Sequence, residues 1–233
     1  MIDRRKSEKA SEAVSPVVGV MLMLVVTIII AAVVSAYAGG LSTGEKKAPV
    51  IELQTRIVNE GSYANSYFQM KVLSVSEPIP TRDLKLVTSW RKSDGTTGGG
   101  SAVAGTKNFN FTGGTNTGTA PVGLGPGVEN WSVHGNTTPS MHWGNFTLMG
   151  GTSIMAHPIG VYSPMNTGGY GNPPGSEFTY VDGTYWDPGE IDHIMGVLGK
   201  EWYRLRLGDK VSVKVIHVPT GKVIYDTDVV VEG

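Results

Sequence analysis

The chain has 233 residues, a net charge of −1 and 40% hydrophobic residues, enough for one sizeable domain with an appendage. That near-neutral balance offers no electrostatic handle for nucleic acid or for an acidic lipid surface. Cysteine is absent, which excludes a disulfide framework and thiolate chemistry, and charged residues make up only 17% against about 25% in ordinary soluble domains.

Residues 1–13, MIDRRKSEKASEA, are polar and carry Arg4, Arg5, Lys6 and Lys9 against Asp3, Glu8 and Glu12. An uncharged run follows from Val17 to Val34, interrupted only by Gly19 and Thr27 among large apolar side chains and alanines. Ser15 followed by Pro16 makes a good N-cap and first-turn pair, because proline lacks an N–H that would go unsatisfied there. Gly39 and Gly40 are suited to stopping the helix. The expected helix, 14–38, is long enough to cross a hydrocarbon core of about 30 Å. Residues 39–49, GGLSTGEKKAP, then read as a hinge.

Three processing routes fit such a start. A secretory signal would be cut after Ala36-Tyr37-Ala38, an anchor would stay whole, and a leader could be removed ahead of the apolar run. The length of the run disfavours the first, since signal cores usually hold about 7–15 apolar residues.

Beyond the hinge, residues 50–233 read as an extracellular β-rich head. Period-two alternation marks 50–58, where Ile51, Leu53 and Ile57 oppose Glu52, Gln54 and Arg56, and 67–75, where Phe68, Met70 and Val72 alternate with Gln69 and Lys71. The pattern recurs at 83–90 and 203–207. At the C-terminal end two strands flank Pro219-Thr220-Gly221, which is hairpin chemistry. The fold class expected is α+β, a long apolar α-helix followed by an antiparallel β-sandwich or barrel-like head.

Residues 95–151 hold 15 glycines but only two charged residues, Lys107 and Glu129, and are expected to form short strands and long loops. Four Asn-x-Ser/Thr sequons, at Asn110, Asn130, Asn136 and Asn145, fall in this stretch and are glycosylation candidates if the head is extracellular. Asp182, Asp187, Glu190, Asp192 and His193 gather in a short segment that a calcium ion could use. The stronger reading is a capping box at Asp187-Pro188-Gly189-Glu190, opening a short helix that ends at Gly199. The five histidines lie in unlike contexts, and His217 shares a strand face with Val211, Val213 and Val215, as a core imidazole would. No nucleophile elbow, phosphate loop, zincin or dinucleotide fingerprint occurs, so neither catalytic residues nor a cofactor is expected, and an enzyme is disfavoured.

The stretch EAVSPVVGVMLMLVVTIIIAAVVSAYAGG resembles the N-terminus of archaeal type IV pilin precursors, and GDKVSVKVIHVPTGKVIYD and EPIPTRDLKLVTSW resemble pilin-domain segments of methanogen-type sequences. The resemblance implies cleavage by a membrane-embedded prepilin peptidase between Ala13 and Val14, which retains the helix. Bacterial type IV pilins usually place glutamate fifth in the mature chain; here the fifth residue is Val18, as the archaeal branch commonly allows. In the membrane precursor the lipid satisfies the helix, and once an assembly platform and its ATPase extract it, copies of the same helix must cover Val17, Val18, Leu22, Leu24, Val25, Ile28 and Ile29. Pro16 opens that assembly helix, while Gly19 and Ala32 let backbones approach. A head-to-tail contact that does not close generates a filament, so the expected product is a homo-oligomeric, extracellular cell-surface pilus used for adhesion, with N-linked glycans as a further expectation. The rival expectation is a non-polymerising binding protein held at the surface by an uncleaved helix.

Overall fold

The computed structural model describes residues 16–41, 47–60, 65–111, 116–129, 138–158, 178–179, 185–186 and 191–233. The chain divides into two compact units, Met1–Lys46 and Lys47–Gly233. The first contains α1, Pro16–Leu41. This helix runs through Gly39 and Gly40 rather than ending before them. Glycine weakens a helix by about 1 kcal/mol but stops it only by turning to positive φ.

The strands of the head are β1 (Ile51–Val58), β2 (Tyr67–Val75), β3 (Ile79–Pro80), β4 (Leu84–Arg91), β5 (Thr97–Val103), β6 (Phe109–Phe111) and β7 (Asn116–Gly118). After them come β8 (Val122–Leu124), β9 (Thr147–Leu148), β10 (Ser153–Ala156), β11 (Phe178–Thr179), β12 (Tyr185–Trp186), β13 (Lys210–His217) and β14 (Lys222–Glu232). One mostly antiparallel, curled sheet has the order β5-β4-β13-β14-β1-β2-β10-β8. Its exception is central: β1 and β14, the first and last strands of the head, lie parallel, with Ile57 opposite Val231. The α+β class expected from the sequence is the one observed.

Alternation explains which face is covered. Ile51, Leu53 and Ile57 of β1, Phe68, Met70 and Val72 of β2, Leu84, Leu86 and Trp90 of β4, and Val211, Val213 and Val215 of β13 all point into one core. The opposite layer is not a second large sheet. It is built from Phe109, Met141, Trp143, Phe146 and Leu148, from the short helix α2 (His193–Leu198), and from a 3-10 turn, Lys200–Arg204, that buries Trp202.

Two expectations fail here for local reasons. The capping box lies at 187–190, outside the described residues, but α2 begins only at His193. Ile191 is extended and pairs with Asn110, so no helix passes through it; Asp192 is the cap, its carboxylate accepting from Met195 N at 2.8 Å. The helix does end at Gly199, as expected. Residues 203–207 are not a strand. Leu205 is buried while Leu207 is exposed, and the carbonyls of Tyr203 and Leu205 accept from the Arg206 guanidinium at 2.7 and 2.8 Å instead of from a ladder partner.

The glycine-rich edge strand β5 exists to accommodate α2. A Cβ on Gly98 would lie 2.2 Å from the Trp90 ring, and one on Gly100 would lie 2.5 Å from Gly196 O and 2.7 Å from Val197 O. Gly100→Ala is therefore expected to force α2 away from the sheet and cost about 1–3 kcal/mol in a denaturant titration, the range of overpacked cores. Side chains also satisfy the carbonyls that end α2, which would otherwise be orphaned. Asn108 Nδ2 donates to Gly196 O at 3.1 Å, Thr88 Oγ1 to Val197 O, and Trp90 Nε1 to Leu198 O at 2.8 Å. Thr88→Val leaves a buried carbonyl unpaired and is expected to cost about 1–3 kcal/mol by the same measurement.

The paucity of charge in 95–151 has a related cause. Its polar residues turn inward onto backbone. Asn108 closes a two-bond clamp on Ala120, donating to its O at 2.8 Å and accepting from its N at 2.6 Å, and Thr119 Oγ1 donates to Thr106 O.

Candidate functional site

The feature of this chain that its own fold leaves uncovered is α1. With 26 residues, it is roughly 39 Å long at 1.5 Å per residue. Within it Val17–Ala36 has a mean hydropathy of 3.2, and none of that window is buried inside the chain. Apolar residues surround the whole circumference: Val17, Val18, Leu22, Leu24, Val25, Ile28 and Ile29 are 46–63% exposed, and no turn of the helix presents a polar stripe. A surface helix of a soluble domain would bury one side and wet the other. This one has no wet side.

Two details show how the helix tolerates an apolar environment. Thr27 donates its hydroxyl to Leu24 O at 2.9 Å, so its own donor is satisfied within the helix. Gly19 has nothing within 4 Å of where a Cβ would stand. A mid-helix glycine costs about 1 kcal/mol relative to alanine, and no contact within the described chain explains it.

Residues 12–53 match the family described as archaeal type IV pilin, N-terminal. That segment is similar to the N-terminal domain of archaeal type IV pilins. The match takes in all of α1 and the first three residues of β1, and the rest of the head beyond Leu53 lies outside it. No curated protein matched the chain. Pilins are structural subunits rather than an enzyme class, and the pilin segment and its apolar helix fit a membrane-inserted precursor.

The other sequence-derived positions are distributed as follows. Ala13 and Val14 lie outside the described residues, as do Asn130, Asn136, His134, Asp182, Asp187 and Glu190. Asn145 is exposed, with its Nδ2 donating to Pro139 O at 2.7 Å. Asn110 is held on both sides, by β7 and by the bridge to Ile191, and its Oδ1 is buried with no hydrogen-bond partner among the described residues. His217 is not a core imidazole. It sits half-buried at the β13–β14 turn, where the strand leaves the core, and its Nδ1 is 2.9 Å from Thr220 Oγ1.

Sequence reasoning missed one constellation. His142, His157 and His193, far apart in the chain, converge in the head. Phe109 meets the His193 ring edge-on at 4.3 Å and the His142 ring at 5.2 Å, and the His157 carbonyl accepts from Ile194 N at 3.3 Å. Burial first, and then the nearness of His142 and His157, push the His193 imidazole down to about 3. Burial lowers His142 and His157 as well. Among the described residues no group of three His, Cys, Asp or Glu is arranged to hold a metal ion. No local pattern announces this cluster, because each histidine arrives on a different element.

Proposed function

We propose that this pilin polymerises into an extracellular type IV pilus filament through α1, and that the filament serves attachment to surfaces. The observation that carries the reading is a helix apolar on every side, with none of its spanning window buried, in a chain whose head already has a complete core of its own. Outside a bilayer, each large apolar side chain left in water costs roughly 1.5–3 kcal/mol. Copies of the same helix relieve that cost, and Gly19, Ala31, Ala32, Ser35 and Ala36 allow close approach.

In this scheme residues 1–13 are a leader removed by a prepilin peptidase between Ala13 and Val14, while 14–38 anchor the precursor and then form the filament core. Residues 39–49 join that core to the head, and an ATP-driven platform extracts the helix from the membrane. The heads form the outer surface. Asn145, exposed on a turn, is the favoured glycan acceptor of the two described sequons, because Asn110 is locked in paired strands. Asn145→Gln is expected to remove one glycan mass from the intact protein, while Asn110→Gln leaves the mass otherwise unchanged.

Electron microscopy of material sheared from cells tests the main reading. Thin filaments containing this chain, which vanish when it is deleted, are the expected result. A chain found only in the membrane fraction, with no fibre, would overturn it.

A further inference from the structure

The outer face of the central strands, opposite the core, is not uniformly flat. Ile57 and Val58 of β1 pair with Val231 and Glu232 of β14 on one side and with Phe68 and Tyr67 of β2 on the other. Ile57, Phe68 and Val231 enter the core. Alternation therefore sets Glu232, Val58 and Tyr67 in one row on the outer face, with Arg56 on that face two residues before Val58. Glu60 and Asn65, from the β1–β2 connection, join them in lining an open cavity of about 500 Å³. Small-molecule sites usually span about 300–1,000 Å³. Val58 gives the cavity an apolar floor, being only 7% exposed although it faces outward. Tyr67 is half-buried, its ring braced by that of His157 at 6.3 Å between centroids. Arg56 and Glu232 are locked together, Nε donating to Oε1 at 3.2 Å and Nη2 donating to Oε2, yet each side chain remains nearly half exposed.

We propose that this cavity binds a neutral saccharide, one sugar ring lying against Tyr67 and Val58 and two neighbouring hydroxyls taken by Arg56 and Glu232. The inference stands on the head alone and goes beyond the filament reading. Its chemistry follows from what the ion pair leaves over. The guanidinium has more N–H donors, and the carboxylate more lone pairs, than their two mutual bonds use. What remains is a fixed donor beside a fixed acceptor. A vicinal diol matches both, one hydroxyl accepting from Arg56 and its neighbour donating to Glu232. The aromatic ring and the apolar floor suit the C–H face of a pyranose. Other occupants fit less well. Glu232 already neutralises Arg56 and Glu60 adds a negative charge, so a phosphate or carboxylate meets net repulsion. An extended peptide finds no open backbone edge, because β1 is paired on both sides at Ile57 and Val58. Among the described residues no group of three His, Cys, Asp or Glu is arranged for a metal ion.

Saturation-transfer NMR on full-length chain in phosphocholine micelles, which carry no sugar, tests the proposal. The neutral probes are methyl α-mannopyranoside, methyl β-galactopyranoside and N-acetylglucosamine, and glucuronic acid is the charged one. At least one neutral probe should receive saturation, and glucuronic acid should bind more weakly than it. Tyr67→Ala should weaken that binding about tenfold or more, whereas Tyr67→Phe, which keeps the ring, should stay within about threefold of wild type. Glu232→Gln, which keeps the size and removes the charge, should weaken it about fivefold or more, and it decides the matter if Tyr67→Ala fails to fold. Lys222→Ala, at the opposite end of β14, should change nothing. No transfer to any neutral probe overturns the inference. So does a preference for glucuronic acid, or binding that a folded Tyr67→Ala or Glu232→Gln chain retains in full. Each of those results leaves the filament reading intact, because no filament takes part in the measurement.

Discussion

Val25→Lys is expected to abolish filaments while leaving the precursor in the membrane. Val25 lies near the middle of the 20-residue apolar window and is half exposed. In the bilayer a central lysine costs about 2.5–3.5 kcal/mol on the insertion scale, and the remaining apolar residues of α1 offset it. The long side chain can also reach toward the surface. In a core made of packed helices neither escape exists. Every subunit would then bury an unpaired charge, at several kcal/mol each, and the loss repeats along the fibre. Comparing chain in the sheared and membrane fractions separates the two effects. Val25→Ile, which keeps the surface apolar, should leave both fractions near wild type.

Acidification is expected to destabilise the head strongly, and His193 sets the window. Its folded value is about 3, while the unfolded imidazole titrates near 6.5. Above 6.5 neither state takes the proton and nothing changes. As the pH falls from 6.5 toward 3 only the unfolded chain binds it, so stability declines throughout that interval and levels off below it. At about 1.4 kcal/mol per pH unit, His193 alone takes about 2–3 kcal/mol at pH 4.5 and about 4–5 kcal/mol at pH 3. His142 and His157 act in the same direction, because burial lowers them too. Denaturant titrations of the full chain in detergent at pH 7.5 and 4.5 measure the difference. A head equally stable at both would mean that His193 is protonated in the folded state.

What the sequence made legible follows the range of each signal. α1 could be read because its apolar run is longer than any soluble core element needs. β1, β2, β4 and β13 could be read because each buries one face, and a period of two records that burial directly, while the turn at Pro219-Thr220-Gly221 announced the pairing of β13 with β14. Where the pattern misled, a contact distant in sequence had taken over. Tyr203–Leu207 alternates like a strand, yet Asn59 and Arg206 occupy its carbonyls and Trp202 pulls it into a 3-10 turn. Asp187–Glu190 has the spacing of a capping box, yet the pairing of Ile191 with Asn110 hands the cap to Asp192. The glycines of β5 carry no periodicity, and their reason, the closeness of Trp90 and of the α2 carbonyls, exists only in three dimensions. The histidine cluster was invisible for the same reason. α1, by contrast, was legible as an apolar rod, because a long uncharged run needs no distant contact to declare itself.

The central claim is that this rod stays on the finished subunit and is sheltered by its copies outside the cell. N-terminal sequencing of the chain in the sheared filament fraction tests it most directly. The mature chain should begin at Val14 and retain all of α1. A first residue at Gly39 would contradict it, and so would an intact Met1 on chain recovered solely from the membrane.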